Sequence, residues 1–239
     1  MAIINLIDGE KGGVGKSWVA RTMLQYLIDN AIPRASIETD RSNPTVLNIY
    51  KESKAAVFSE NEKMADVADV IFEYALKKTV VVNLPAQAHR AVAKWIDTKG
   101  LLDLGKEHDV TFIKWFVSDG ESDSIELFIE SLEHYQGYIT HVFIKNWGRC
   151  DEWGYFKAHE AIQKAISEYN VAVIDFPKLS DGRRIEINAK RLTFEDASNY
   201  PEFGIIGRNQ IKTYLRDAYK AFESTGLLPK AKQLQELKA

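Results

Sequence analysis

The run Gly9-Glu10-Lys11-Gly12-Gly13-Val14-Gly15-Lys16-Ser17 constrains this chain more than any other stretch. It satisfies G-x-x-x-x-G-K-[ST], the pattern of a loop that cradles phosphate. Glycines let backbone N–H groups converge on phosphate oxygens without a Cβ in the way. A lysine at position 16 can bridge β- and γ-phosphates, and a Ser17 hydroxyl can hold Mg²⁺. Ile3-Ile4-Asn5-Leu6-Ile7 reads as the strand entering this loop, and Ser17 to Asn30 as the helix leaving it. Strand, glycine-rich loop and helix, in that order, aim the positive helix end and a row of N–H groups at one anion. A fortuitous glycine-rich turn would not need that context. The backbone from Gly12 through Val14 and Gly15 to Trp18 is therefore the candidate cradle.

Strands and helices alternate along the rest of the chain. Ala35–Thr39, Thr79–Leu84, Asp109–Val117, Ile139–Lys145 and Val171–Phe176 read as strands. The run Thr79-Val80-Val81-Val82 has the β-branched continuity of a strand buried on both faces. Apolar residues at helical spacing predict helices at Met64–Lys78, Gln87–Thr98, Ser124–Tyr135 and Ile205–Glu223. The expected fold is α/β: a three-layer, doubly wound, mostly parallel sheet with helices on both faces. Ligands in such sheets bind beyond the carboxyl ends of strands, where the phosphate loop lies. The 239 residues suit one such domain over positions 1–239, with a C-terminal helix at about 205–224 and a short tail.

Composition narrows the setting. Hydrophobic residues make up 45% and charged residues 27%, ordinary values for a globular protein. No apolar run is long enough to span a bilayer, and no basic leader with a cleavage site precedes the first strand. Cys150 is the only cysteine, so no internal disulfide can form. These features lead to the expectation of a cytoplasmic protein.

With Lys11 inside it, the loop reads Lys-Gly-Gly-Val-Gly-Lys-Ser and resembles the deviant Walker A motif of the ParA/MinD superfamily of P-loop ATPases. The resemblance runs from the first strand through about Leu179. It implies ATP and ADP as ligands, Mg²⁺, slow hydrolysis, and a nucleotide-dependent homodimer with an activating protein partner. In that family the extra lysine reaches the partner subunit's nucleotide, so the resemblance implies that Lys11 acts in trans; a solvated loop lysine is the alternative. The second strand of the family ends in Asp-x-Asp-Pro. Glu38 and Asp40 match the acidic positions and Arg41 replaces the proline. Asp40 is thereby implied to position water and metal, or else caps a turn with Asn43-Pro44. The family's Asp-x-Pro at the third strand becomes Asn83-Leu84-Pro85 here. An amide accepts from a metal-bound water but carries no charge and cannot act as a base. Weaker Mg²⁺ binding or slower hydrolysis follows, and Asn83→Asp is expected to raise turnover; Asp8 could compensate. Asn146 matches a position that contacts adenine, and Pro177 a loop that closes over the base.

The implied catalytic residues are thus Lys11, Lys16 and Asp40. Those for nucleotide are Gly12, Gly13, Val14, Gly15, Lys16, Ser17, Trp18, Asn146 and Pro177. Those for metal are Ser17, Asp40 and Asn83. The short chain and the Asn-Leu-Pro-Ala-Gln stretch look most like plasmid-encoded TraL and StbB-type members, which implies a switch in DNA partition, positioning or conjugal transfer. Two alternatives stay open: an amidoligase similar to cobyrinic acid a,c-diamide synthase, and a nucleotide-binding adaptor that does not hydrolyse. Lys178, Arg183, Arg184, Lys190 and Arg191 cluster, and Arg208, Lys212, Arg216 and Lys220 form a basic stripe that could meet DNA phosphates. A net charge of −3 argues against DNA binding through the whole surface. Leu234 and Leu237, among Lys230, Lys232 and Lys238, offer too little apolar area for membrane attachment.

Overall fold

Strand β1 (Ala2–Asp8) is buried along nearly its whole length, and the rest of the molecule is arranged around it. The computed structural model describes residues 2–229. After β1 come α1 (Lys16–Asp29), β2 (Arg34–Glu38), α2 (Thr45–Ile49), β3 (Lys54–Ala55), a 3₁₀ turn at Glu62–Ala68, α3 (Val70–Ala75) and β4 (Thr79–Asn83). Then follow α4 (His89–Thr98), α5 (Leu101–Glu107), β5 (Val110–Ser118), α6 (Ser122–Tyr135), β6 (Thr140–Asn146), α7 (Gly154–Ala158), α8 (Glu160–Glu168) and β7 (Ala172–Phe176). The described part closes with α9 (Asp181–Ala189), α10 (Phe194–Asn199), a 3₁₀ turn at Pro201–Phe203 and α11 (Gly204–Ser224).

The seven strands form one sheet in the order β3-β2-β4-β1-β5-β6-β7, and every pairing is parallel. Because successive side chains on a strand point to opposite faces, β1 serves two cores at once. Ile3 and Ile7 pack with α1, α9, α10 and α11, while Ile4 and Leu6 pack with α3 and α4. A third cluster joins Phe116 and Phe143 to Phe128 of α6, Phe156 of α7 and Ile162 of α8. The result is the three-layer α/β architecture expected from the strand–helix alternation. In this order β1 sits between β4 and β5. The carboxyl ends of β1, β2, β4 and β6 therefore open on one side, and the phosphate loop leaves there.

The predicted helix at Met64–Lys78 is corrected. Its first half is the 3₁₀ turn, with i→i+3 bonds from Met64 N to Asn61 O and from Asp69 N to Asp66 O, and α3 occupies only Val70–Ala75. The Asp69 carboxylate is drawn to α4, accepting from Trp95 Nε1 at 2.9 Å and Lys99 Nζ at 2.7 Å. Val67 is left exposed, although its spacing placed it inside. The stretch between β7 and α11, unassigned from sequence, holds α9 and α10. Leu234, Leu237 and the lysines beside them lie outside the described residues. Among the described residues, no helix is long and apolar enough to cross a membrane.

Helix α11 covers the sheet through Phe222, fully buried against Trp115 and Phe176 at ring separations of 5.6 and 5.8 Å. Phe222→Ala is expected to destabilise the fold by about 3–5 kcal/mol. Lys220→Ala, on the exposed side of the same helix, should stay within about 0.5 kcal/mol. Urea unfolding of the two variants checks this; a small loss at Phe222 would mean that α11 is not part of the cooperative core.

Candidate phosphate-binding site

The loop after β1 is held from several directions. Asp8 Oδ1 accepts from Gly9 N at 2.7 Å at its start. Gly15, at φ 105°, takes the left-handed conformation that glycine adopts freely, and a Cβ there would collide with the Asn146 amide. Asn146 Nδ2 donates to Val14 O at 2.7 Å, and its Oδ1 accepts from Gly148 N at 3.0 Å. Both ends of this buried amide are committed to backbone. Asn146 therefore braces the loop against β6. The Val14 side chain is fully buried in the core, so only its backbone can serve a ligand. Glu10 ties the loop to the segment before α4: its carbonyl accepts from Gln87 N at 2.8 Å and its carboxylate from His89 N at 2.7 Å.

The two lysines are placed differently. Lys16 Nζ donates to the Lys11 carbonyl at 2.9 Å, folding over the loop it belongs to. Burial pulls its ammonium below the ordinary lysine value, against the opposing charges of Asp8, Glu10 and Asp40. Lys11 Nζ lies 2.9 Å from Asp123 Oδ1 and 3.2 Å from Asp119 Oδ2. The hydrogen bond to Asp123 raises its value above the ordinary one.

Of the two acids at the end of β2, the structure puts Glu38 rather than Asp40 into the interior. Glu38 Oε1 accepts from Asn83 Nδ2 at 2.8 Å and Asp40 N at 3.0 Å, and its Oε2 from Val46 N at 2.9 Å. Burial raises the Glu38 carboxyl above the usual range, and these donors partly offset the rise. Asn83 Nδ2 also donates to Ser17 Oγ at 3.2 Å, while Asn83 Oδ1 is buried without a protein partner. Ser17 and Asn83, both implied for metal, are thus brought together. Asp40 is not part of that contact. Its Oδ1 caps the following turn, accepting from Ser42 N at 2.9 Å and Asn43 N at 3.0 Å, which is the turn-capping alternative.

Asp8 has a different assignment from compensating for Asn83. It is fully buried 2.8 Å from Lys114 Nζ, itself fully buried on β5. Burial would raise the Asp8 carboxyl, but Lys114 and the Gly9 N–H hold it below the usual range. Lys114 Nζ also donates to Ser131 Oγ at 2.8 Å and lies 3.3 Å from His89 Nδ1. Ser131 Oγ in turn meets His141 Nε2 at 3.0 Å, and His141 Nδ1 meets Ile139 O at 2.9 Å. The chain of donors fixes the tautomer. Lys114 donates to the hydroxyl, the hydroxyl to Nε2, and Nδ1–H to the carbonyl, so His141 is neutral. Burial, with the Lys114 charge next, lowers both His89 and His141 to about 4.

Beside the loop lies a cavity of about 200 Å³, lined by Gly13, Gly15, Lys16, Ser17 and Trp18. Arg21, Arg149, Arg184 and Asn188 line it too, together with Asn43 and Thr45. Sequence reading did not assign the arginines to this site. Arg21 of α1 donates to Asn188 Oδ1 of α9 at 2.6 Å and to Leu192 O at 2.9 Å, holding α9 over the cavity. Trp18 forms a wall, its ring edge-on to Phe194 at 4.9 Å. Pro177 is not there: it lines a second cavity with Asn209 and Thr213 of α11. The basic cluster is largely matched by acids, with Lys178 on Asp151, Arg183 on Glu186, Arg184 on Asp181 and Lys190 on Glu202. On α11, Arg216 pairs with Asp217 and Arg208 Nε donates to its own helix at Gly204 O. Lys212, Arg216 and Lys220 are exposed on that helix.

No protein-family model matches the chain. It is 27% identical over 226 residues to protein MobD of Acidithiobacillus ferrooxidans, an alignment covering 92% of this chain and 96% of MobD. It is 24% identical over 247 residues to protein TraL of Escherichia coli, covering 95% of this chain and 100% of TraL. Among solved structures, the septum site-determining protein MinD of Pyrococcus horikoshii, complexed with Mg-ADP, superposes with a TM-score of 0.52 at 14% identity. That match covers 90% of this chain and 94% of MinD. A nucleotide-binding protein of Archaeoglobus fulgidus in complex with ADP gives a TM-score of 0.50 at 12% identity, covering 80% and 86%. The chain thus shares the fold of MinD, and the sequence likeness to TraL matches the resemblance drawn from the Asn-Leu-Pro-Ala-Gln stretch.

The buried His141 and the half-buried His89 make a pH prediction. An unfolded chain protonates them near 6.5, whereas the folded protein resists down to about 4. Their contribution to stability is therefore complete above about 6.5 and is lost as pH falls toward about 4. His141→Gln is expected to remove one proton from the uptake on unfolding across that window. Unfolding free energies at several pH values check it; an unchanged slope would mean that His141 is not held neutral.

Proposed function

We propose that this chain is a nucleotide-binding ATPase that uses Mg·ATP as a switch for assembly in a plasmid process such as partition, positioning or conjugal transfer. The observation that carries the reading is the convergence of Lys16, Ser17 and the partnerless Asn83 Oδ1 at the carboxyl ends of β1 and β4. Support comes also from the Mg-ADP and ADP complexes of proteins sharing the fold, and from full-length similarity to MobD and TraL.

The residues present fit nucleotide and Mg²⁺. Gly13, Gly15, Lys16, Ser17 and Trp18 line the cavity, and the start of α1 adds its positive end. Lys16 would exchange the Lys11 carbonyl for phosphate oxygens. Ser17 Oγ would be a direct metal ligand, and the orphaned Asn83 Oδ1 would accept from a metal-bound water. Bound Mg²⁺ supplies neutralisation of the charge on the β- and γ-phosphate oxygens. Arg149 and Arg184 would add cations from the far side of the cavity. For Lys11 to reach a partner subunit's nucleotide, it must first leave Asp119 and Asp123. DNA contact through Lys212, Arg216 and Lys220 is the partner reading for α11; it should weaken steeply with salt if phosphates are touched.

A second reading, an adaptor that binds nucleotide without hydrolysing it, is favoured by one observation. Asn83 is an amide, and Asp40 caps its own turn through Oδ1. Single-turnover hydrolysis separates the two readings.

Two measurements test the proposal. Lys16→Ala is expected to lower nucleotide affinity by about 10- to 100-fold, the worth of a charge-assisted bond to phosphate. Light scattering should give a monomer with ADP, a dimer with ATP, and a monomer for Lys11→Ala with ATP. A mass independent of nucleotide would rule out the dimer switch while leaving nucleotide binding intact.

A further inference from the structure

We infer that Glu38 and Asn83 work as one unit, in which the carboxylate on β2 supplies the negative charge and the amide on β4 presents it to the metal side of the nucleotide site. The inference rests on the nucleotide reading above and adds a positioning residue to it. The two residues are register partners on adjacent parallel strands, Glu38 directly opposite Asn83. All three of Glu38's hydrogen bonds come from N–H donors, so it acts as an acceptor throughout, as an ionised carboxylate does.

That carboxylate decides which way Asn83 points. The amide has two N–H donors; one goes to Glu38 Oε1 at 2.8 Å and the other to Ser17 Oγ at 3.2 Å. Rotating the amide by half a turn would set its oxygen against the carboxylate. Oδ1 is therefore held away from Glu38 and left without a protein partner in the interior. A buried carbonyl-type oxygen with nothing to accept is costly unless a ligand supplies the donor. A metal-bound water near Ser17 is such a donor.

The same geometry bears on what an acid at position 83 would meet. An aspartate there would place a second carboxylate at hydrogen-bond distance from Glu38, in a site where Glu38 is only 2% exposed. Two buried carboxylates that close repel strongly. Asn83→Asp alone is thus expected to harm the protein, reversing the expectation drawn from the sequence. Glu38→Gln with Asn83→Asp keeps one charge and one amide in contact, although the introduced NH₂ must then face one of the two backbone N–H groups, of Asp40 and Val46, that the carboxylate now accepts from.

The experiment uses the full chain with ADP as ligand, its affinity measured in Mg²⁺ and in chelator, and the thermal midpoint of the free protein. The wild type should bind ADP more tightly with Mg²⁺. Glu38→Gln should cut that Mg²⁺ advantage by about tenfold or more, the loss typical of an outer-shell partner, while the affinity in chelator holds. Asn83→Asp should lower the midpoint by about 4 °C or more. The Glu38→Gln/Asn83→Asp pair should recover the Mg²⁺ advantage, which a purely structural contact would not restore, while its midpoint stays below that of the wild type because one backbone N–H loses its acceptor. If Glu38→Gln keeps the full Mg²⁺ advantage, or if the double variant regains none of it, the unit is refuted and nucleotide binding stands. A wild type that binds no ADP in either condition overturns the nucleotide reading and this inference with it.

Discussion

A phosphate cradle turns its N–H groups inward, so the carbonyls it turns outward need donors of their own. Three elements supply them here. Asn146 at the end of β6 takes the Val14 carbonyl, Gln87 before α4 takes that of Glu10, and the Lys16 ammonium takes that of Lys11. Each unmet carbonyl in such a place would cost roughly 1–3 kcal/mol. The loop's shape therefore depends on the sheet order, because only a strand flanked by β4 on one side and β5 and β6 on the other has both donors in reach. Two of the three donors are an amide and a backbone N–H outside the loop, neither assigned to phosphate. The third belongs to Lys16, which must release the Lys11 carbonyl to grip phosphate, so binding is coupled to the conformation of the segment that carries Lys11.

The parts of this arrangement visible in the sequence are those built from contiguous residues. The phosphate loop is one run, and the parallel strands are apolar runs because both of their faces are covered. The long amphipathic helices α1, α6 and α11 appear within a residue or two of their predicted bounds. What escaped notice is assembled across the chain. Arg21, Arg149 and Arg184 come from α1, the loop after β6, and α9, and only the fold places them at one cavity. Asn146 was recognised as a site residue by its place at a strand end, and the bracing of the loop through the backbone of Val14 and Gly148 is what the sequence did not show. Between Glu38 and Asp40 the motif match favoured Asp40. The one signal for Glu38 was an acid following Ile37 inside a strand otherwise apolar enough to be buried.

The short elements failed for a different reason. α7, α9 and α10 are short, and their helical pattern covers too few turns to stand out from a loop. They exist because tertiary contacts hold them. Ile187 and Phe194 are fully buried under α1 and α11, and Arg21 ties α9 to α1. The Met64–Lys78 pattern failed in the opposite sense: its periodicity was adequate, and Asp69 broke it by reaching across to Trp95 and Lys99.

Charge distribution around the loop separates its framework from its working parts. Beneath the loop, Asp8 is neutralised by Lys114 at 2.8 Å, and the neutral His141 closes the network behind it. That ion pair is complete within the chain, so it serves shape. Breaking one partner of such a pair costs more than the pair contributes, because the other charge is left buried. Glu38 is buried as well, but its hydrogen-bond partners are neutral: two backbone N–H groups and the Asn83 amide. A carboxylate so held raises the local demand for a cation. Asn83 carries that demand toward Ser17, which stands at the mouth of the phosphate cavity. A cation satisfying it would bind the folded state alone and would stabilise it by mass action. Under the nucleotide reading the fold is least stable when that site is empty, and the deficit lies at the contact between β2 and β4.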